Sequence, residues 1–195
     1  MARTTNSEDL VSVRRVAAGN TAEFRVLVDR YKNVSFSLAC SILKDTHLAE
    51  DALQEAFVKV FRNIRSFKEQ SSFATWLYRI VVTTCFTIAR RQHRMDSYDD
   101  PVISTHIEER DDHTTADTMV SYERREIVNL VLGQMKTEEA LTLRLYYLSE
   151  LNVGEISEVT GFSQSKVKVT LHRGRASFEA ALEQLLGNEL ALFIQ

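Results

Sequence analysis

Two groups of side chains in this sequence have the types and spacing to do work, and the work is binding. Toward the C-terminus, Gln164, Ser165, Lys168, His172 and Arg175 recur at helical spacing on one side of a segment, flanked by Lys166 and Arg173, and no acid occurs from Gly161 to Phe178. Amide, hydroxyl and cationic groups on one stripe can meet base edges in a DNA groove, while the flanking cations suit phosphates. In the first half, Glu50, Asp51, Gln54 and Glu55 share the polar side of an amphipathic segment. A second segment follows with no acid between Gln70 and Met95, yet with Arg79, Arg90, Arg91 and Arg94. Surfaces of opposite sign imply partners of opposite sign.

Catalytic patterns are missing. The five histidines, His47, His93, His106, His113 and His172, are scattered without HExxH or Cys-His spacing, so no metal is expected. No glycine-rich phosphate loop, nucleophile elbow or paired carboxylate arrangement supports chemistry, so neither an enzyme nor a cofactor is expected. The Glu108-Glu109 and Asp111-Asp112 pairs read as solvated loop residues.

The elements that must position these groups are helices. Residues 7–18 form a short one, and Asn20 with Glu23 resembles a capping pair before a long helix to Lys44. That helix carries Phe24, Leu27, Val28, Tyr31, Val34, Leu38, Ala39 and Ile42 at a 3.6-residue period. Asp45-Thr46 then caps the acidic helix, whose Leu53, Ala56, Phe57, Val60, Phe61 and Ile64 make an apolar stripe. The loop RSFKEQSSF and the basic helix complete a first domain, residues 1–95.

Residues 96–121 read as an acidic flexible linker, because over 96–117 eight acids face one Arg, a net of −7 hidden within the −3 of the whole chain. A second domain, residues 122–195, opens with a helix carrying Ile127, Leu130, Val131 and Met135, then one capped at Thr137 with Leu141, Leu145 and Leu148. Asn152 and Glu155 cap a short helix, Gly161 takes a left-handed turn, and Ser163 caps a last helix with Val167, Leu171, Gly174 and Phe178 on its packing side. A short helix, a glycine turn and a longer helix make a helix-turn-helix. The fold class expected is all-α, two small helical domains with an acidic linker between them.

Six Gly and one Pro in 195 residues agree with that class. Cys40 and Cys85 sit in apolar helical patterns and read as buried free thiols of a reducing compartment. No signal-peptide core and no run of about 18 apolar residues occurs, so a cytoplasmic, soluble chain without membrane insertion is expected.

The order and spacing of three stretches resemble the extracytoplasmic-function (ECF) sigma factors, the two-domain branch of the sigma-70 family. They are residues 49–57 (AEDALQEAF), residues 73–80 (FATWLYRI), and the pair formed by Glu155 through Lys168 with Leu171 through Arg175. The resemblance implies a region 2 helical bundle and a region 4 helix-turn-helix, covering roughly residues 20–94 and 122–182. It implies that Glu50, Asp51, Gln54 and Glu55 dock on core RNA polymerase. Lys68, Ser71, Trp76, Arg79, Thr83, Arg90, Arg91 and Arg94 would engage the promoter −10 element. Gln164, Ser165, Lys166, Lys168, Val169, His172, Arg173 and Arg175 would read the −35 element. The chain departs from the family's pattern at Thr83, Thr87, Lys136 and Val169-Thr170.

The function expected is promoter-specific transcription initiation with core polymerase, including help in melting the DNA, by a monomer with an anti-sigma partner. The alternative is a helix-turn-helix regulator that binds DNA without polymerase. A coil of 26 residues spans about 25–30 Å on average, so the free chain should be compact. The acidic linker is expected near Arg90–Arg94 or Lys166–Arg175.

Overall fold

A computed structural model describes the backbone of residues 2–95 and 116–193, with side chains described over 6–92 and 125–187. Eight α-helices make up these segments: α1 (Ala2–Ala17), α2 (Ala22–Leu43), α3 (Thr46–Asn63), α4 (Phe73–Met95), α5 (Ala116–Gln134), α6 (Thr137–Leu143), α7 (Val153–Thr160) and α8 (Gln164–Phe193). A 3₁₀ turn, Ile64–Ser66, extends α3, and a π turn, Arg144–Leu148, extends α6. No strand occurs among the described residues.

In the first bundle α2, α3 and α4 pack on one another and α1 lies across α2. Ala49, Ala52 and Ala56 of α3 are fully buried, and their small side chains let the helix axes approach closely. Asp45 caps α3 by accepting from the Leu48 N–H at 2.9 Å. The buried Asp9 holds α1 on α2, pairing with Arg30 at 2.5 Å and accepting from the Tyr31 hydroxyl.

The second bundle packs α6 and α7 on α8, with α5 against α8. Asn152 Oδ1 accepts from the N–H groups of Gly154 and Glu155, while Glu155 Oε2 accepts from the Asn152 N–H at 2.8 Å, closing the capping box. Gly161 ends α7 at φ 73°, and Ser163 Oγ accepts from the Lys166 N–H at 3.2 Å to start α8. Val167, Leu171 and Gly174 are buried beneath it.

Four local expectations are corrected. Thr21, not Asn20, precedes α2, and no side chain caps it. Glu23 instead takes hydrogen bonds from Arg15 at 2.7 Å and Ser12 at 3.1 Å, which hold it on α1. Lys136 occupies the cap position of α6, one residue before Thr137. The helix containing Leu148 unwinds into the π turn, leaving Leu148 exposed. The last six residues of the expected linker, 116–121, belong to α5, while 96–115 lie outside the described residues.

The two bundles are in direct contact. Helix α7 packs on α4, and α2 receives α5, α6 and the π turn. The contact is polar as well as apolar. Lys44 Nζ donates to the carbonyls of Gly133 and Met135 at 2.8 and 3.4 Å, Arg144 donates to the Ser37 hydroxyl, and Thr75 Oγ1 donates to Glu155 Oε1 at 3.4 Å.

Candidate nucleic-acid and polymerase interfaces

Helix α3 turns its apolar stripe inward except for Phe61, which is 41% exposed and packs edge-on against Phe24, and this puts Glu50, Asp51, Gln54 and Glu55 on the outside. All four are exposed, and Val58 beside them is 47% exposed, an apolar spot within a charged face. Glu55 pairs with Lys59 at 2.7 Å, and Lys59 also reaches the Thr84 hydroxyl at 3.1 Å, so one edge of the patch is tied down to α4.

The segment between α3 and α4 is held at both ends by aromatic packing. Phe67 meets Phe73 and Trp76 at ring separations of 6.0 and 5.2 Å, and Phe73, fully buried, meets Tyr31 at 5.6 Å. Ser72 caps α4, accepting from the Thr75 N–H at 3.1 Å. Glu69, at φ 55°, receives a two-pronged bond from Arg14 of α1, Nε to Oε1 at 3.0 Å and the second nitrogen to Oε2 at 2.7 Å. That pairing, hydrogen bond first and charge second, holds the Glu69 carboxyl below the usual carboxylate value. The tip of the loop therefore presents Lys68 and Gln70 to solvent with Ser71 half-buried.

On α4, Trp76, Arg79, Thr83 and Arg90 fall at i, i+3, i+7 and i+14, one stripe of the helix. Arg79, Thr83, Arg90 and Arg91 are exposed and Trp76 is half-buried; the Arg94 side chain lies outside the described residues. The Thr87 hydroxyl donates to the Thr83 carbonyl at 2.8 Å. Beside the stripe, Thr75, Tyr78 and Val82 are buried, Tyr78 against the Tyr31 ring of α2 and Thr75 against Glu155 of α7.

The outer face of α8 carries Gln164, Ser165, Lys166, Lys168, Val169, His172, Arg173 and Arg175, all exposed. Two of these cations are already engaged. Lys166 pairs with Glu138 at 2.8 Å and sits 3.8 Å from the Phe162 ring centre. Arg175 Nε donates to the Tyr147 hydroxyl at 2.8 Å, with its guanidinium near the Tyr146 and Tyr147 rings.

The residues that sequence reasoning missed are Arg14, Lys44, Thr75, Arg144 and Tyr147. Only Arg144 leaves a trace in the pattern, as a charge inside the apolar period of Leu141 and Leu145.

Comparison with known proteins decides what these surfaces belong to. The sigma-70 region 2 family profile matches residues 27–95, and the sigma-70 region 4 profile matches residues 123–178. The ECF RNA polymerase sigma factor SigW of Bacillus subtilis is 32% identical over 89% of this chain and 96% of its own length. The chain belongs to the ECF sigma factors of the sigma-70 family. The ECF RNA polymerase sigma-E factor of Haemophilus influenzae is 29% identical over 91% of this chain and 97% of its own length. Among solved structures, RpoE from Bartonella quintana, crystallised with the anti-sigma factor NepR, matches 83% of this chain and 97% of its own at TM-score 0.68 and 16% identity. CnrH, solved with the cytosolic domain of CnrY, matches 89% and 96% at TM-score 0.60 and 21% identity. In this ECF sigma factor the region 2 match ends where α4 ends, and the region 4 match takes in α6, α7 and the first half of α8. Among the described residues no helix is long and apolar enough to cross a membrane.

Proposed function

We propose that this sigma factor binds core RNA polymerase and directs it to promoters through two DNA-reading surfaces, without chemistry of its own. Residues 1–95 act as the polymerase-docking and −10 unit and 122–195 as the −35 unit, with 96–121, whose last six residues begin α5, between them as the tether. Glu50, Asp51, Gln54 and Glu55 contact polymerase, with Val58 supplying apolar area. Lys68, Ser71, Trp76, Arg79, Thr83, Arg90, Arg91 and Arg94 hold the −10 strand, its bases stacking on the half-exposed Trp76 and its phosphates meeting the arginines. Gln164, Ser165, Lys168, His172 and Arg175 enter the −35 major groove with Val169 beside them, while Lys166 and Arg173 meet its backbone.

The observation that carries the reading is the segregation of charge: an exposed acidic face on α3, and exposed stripes without acids on α4 and α8. A few phosphate and base contacts per unit give weak binding alone, and tethering both units to polymerase raises their effective concentration. RpoE of Bartonella quintana was crystallised with an anti-sigma factor, and we extend such a partner to this chain, as a cytoplasmic monomer when free.

Abortive transcription with purified core polymerase on a promoter library tests this. The expected result is promoter-selective initiation that Asp51→Arg abolishes and Gln54→Ala weakens. Tight DNA binding by the free chain, with no redirection of polymerase, would replace this reading with a polymerase-independent regulator.

A further inference from the structure

Arg175 is the C-terminal member of the stripe on α8 that begins at Gln164, and it is held from outside its own helix. Its Nε donates to the Tyr147 hydroxyl at 2.8 Å, across 28 positions of sequence. Its guanidinium carbon lies 5.7 Å from the Tyr146 ring centre and 5.8 Å from that of Tyr147, within reach of cation–π attraction. The two tyrosine rings meet edge to face at 5.0 Å, so each braces the other. Tyr147 is nonetheless 55% exposed, whereas a core tyrosine such as Tyr31 is 6% exposed.

The π turn delivers Tyr147 to that place. The Ser149 N–H bonds the Arg144 carbonyl five residues back at 3.0 Å, and Glu150, at φ 53°, lies just past the end of the turn. Leu143 and Leu145, both buried, anchor it in the region 4 core. Opposite Leu143 the helix α8 comes close because Gly174 has no side chain: a Cβ there would stand 3.2 Å from Leu143. Arg175 directly follows Gly174, and Tyr147 lies four residues beyond Leu143. The close approach of the two elements thus brings hydroxyl and guanidinium into hydrogen-bond range.

A guanidinium carries five N–H donors, and the bond to Tyr147 engages the one on Nε. The side-on fork, which needs Nε, is thereby spent, and the end-on fork of the two terminal nitrogens becomes the recognition edge. That fork matches the O6 and N7 acceptors of guanine in the major groove, whereas adenine presents a donor at N6 beside N7 and satisfies only one arm. A phosphate would accept the same fork, but Arg175 shares its stripe with Gln164, Lys168 and His172, while Lys166 and Arg173 lie to the flank. We propose that Tyr147 is a positioning residue for −35 recognition, holding Arg175 end-on so that its guanidinium reads one guanine. Tyr147 itself makes no base contact. A side chain fixed before DNA arrives has less rotamer freedom to lose on binding. The specificity role rests on the sigma-factor reading above; the Tyr147–Arg175 pairing does not.

The test uses the full chain carrying Tyr147→Phe, which removes the hydroxyl and keeps the ring. In the free parent protein the Arg175 Nε–H NMR signal, assigned by its loss in Arg175→Lys, should exchange with water more slowly than those of exposed arginines. Tyr147→Phe should abolish that protection. An Nε–H that exchanges equally fast in both proteins overturns the pairing, whatever the chain does with polymerase. With core polymerase and a library of −35 sequences, Arg175→Ala should lose about five- to hundredfold of guanine preference at a single position. Tyr147→Phe should lose about three- to tenfold at that same position, with its salt slope unchanged. The double variant should be no worse than Arg175→Ala. Weakening spread evenly over all sequences, with the salt slope reduced by about 1, would mean a phosphate contact and overturn the proposal. Additive losses, or full preference retained in Tyr147→Phe, would overturn it too. A parent that does not redirect polymerase defeats the sigma-factor reading and the specificity role with it, while the exchange measurement still decides the pairing.

Discussion

Glu155 divides its carboxylate between two tasks: Oε2 closes the capping box on the Asn152 N–H at 2.8 Å, and Oε1 meets Thr75 of the other bundle at 3.4 Å. A single side chain thus fixes the start of α7 and its position on α4. The capping half of that role is directly measurable. Asn152→Ala and Glu155→Ala should each lower stability by about 1 kcal/mol in urea unfolding. The double variant should lose less than the two together, since either change opens the same box. Glu155→Gln, which can still accept from the cap N–H, should keep most of the stability. Additive losses would show that the two residues act separately.

Two glycines of α8 should respond to alanine with opposite signs. A Cβ on Gly174 would stand 3.2 and 3.3 Å from the Leu143 side chain, which is itself buried in the region 4 core. The helix-propensity gain of about 1 kcal/mol is outweighed by overpacking of about 1–3 kcal/mol, so Gly174→Ala should destabilise. A Cβ on Gly187 would meet nothing within 4 Å. Gly187→Ala should therefore stabilise by about 0.5–1 kcal/mol. Thermal melts of the two variants, which must move in opposite directions, check this.

The Arg14–Glu69 pair predicts a pH signature. Both groups lie at the surface, and the hydrogen bond from Arg14 holds Glu69 below the usual glutamate value. A carboxylate depressed in the folded state contributes stability that is present above its unfolded value and lost as pH falls through its folded value. Carboxyl NMR should find Glu69 titrating below the exposed glutamates in general. Arg14→Ala should return it to the ordinary range, and an unchanged titration in that variant would show the pair to be without consequence for the loop.

Burial pushes the Cys85 thiol up to about 12, and Cys40 is likewise buried. The nucleophile in alkylation is the thiolate, so both should resist iodoacetamide at pH 8 in the native protein and react fully in denaturant. Rapid modification without denaturant would mean that α2 and α4 separate readily.

On promoter DNA, the proposed division of α8 into groove and backbone contacts separates two kinds of loss. In the polymerase complex, Arg173→Ala should weaken binding to all −35 sequences alike and reduce the salt slope by about 1. Lys168→Ala should cost about 1–3 kcal/mol and relax preference at one base position. Promoter binding titrated at several salt concentrations distinguishes them, and identical behaviour of the two variants would remove the distinction.

Sequence alone was enough for the features governed by neighbours three or four residues apart. The Asp45 cap, the Asn152–Glu155 box, the left-handed Gly161, the Ser163 cap and the inward face of Val167, Leu171 and Gly174 all follow such rules, as does the outward placement of Asp51, Lys168 and Arg173. The exception makes the same point: the Asn20–Glu23 capping pattern is present, but Glu23 goes to Arg15 and Ser12 of α1. A distant cation outcompetes a local cap, and local spacing does not contain the cation's position. Tertiary structure alone decided the pinning of the loop through Arg14 and Glu69, the burial of Thr75 and the contacts that Lys44 and Arg144 make between the bundles. Those contacts join residues 55 to 107 positions apart. Periodicity determines which face of a helix is buried, whereas the partner that buries it is determined by how whole helices pack.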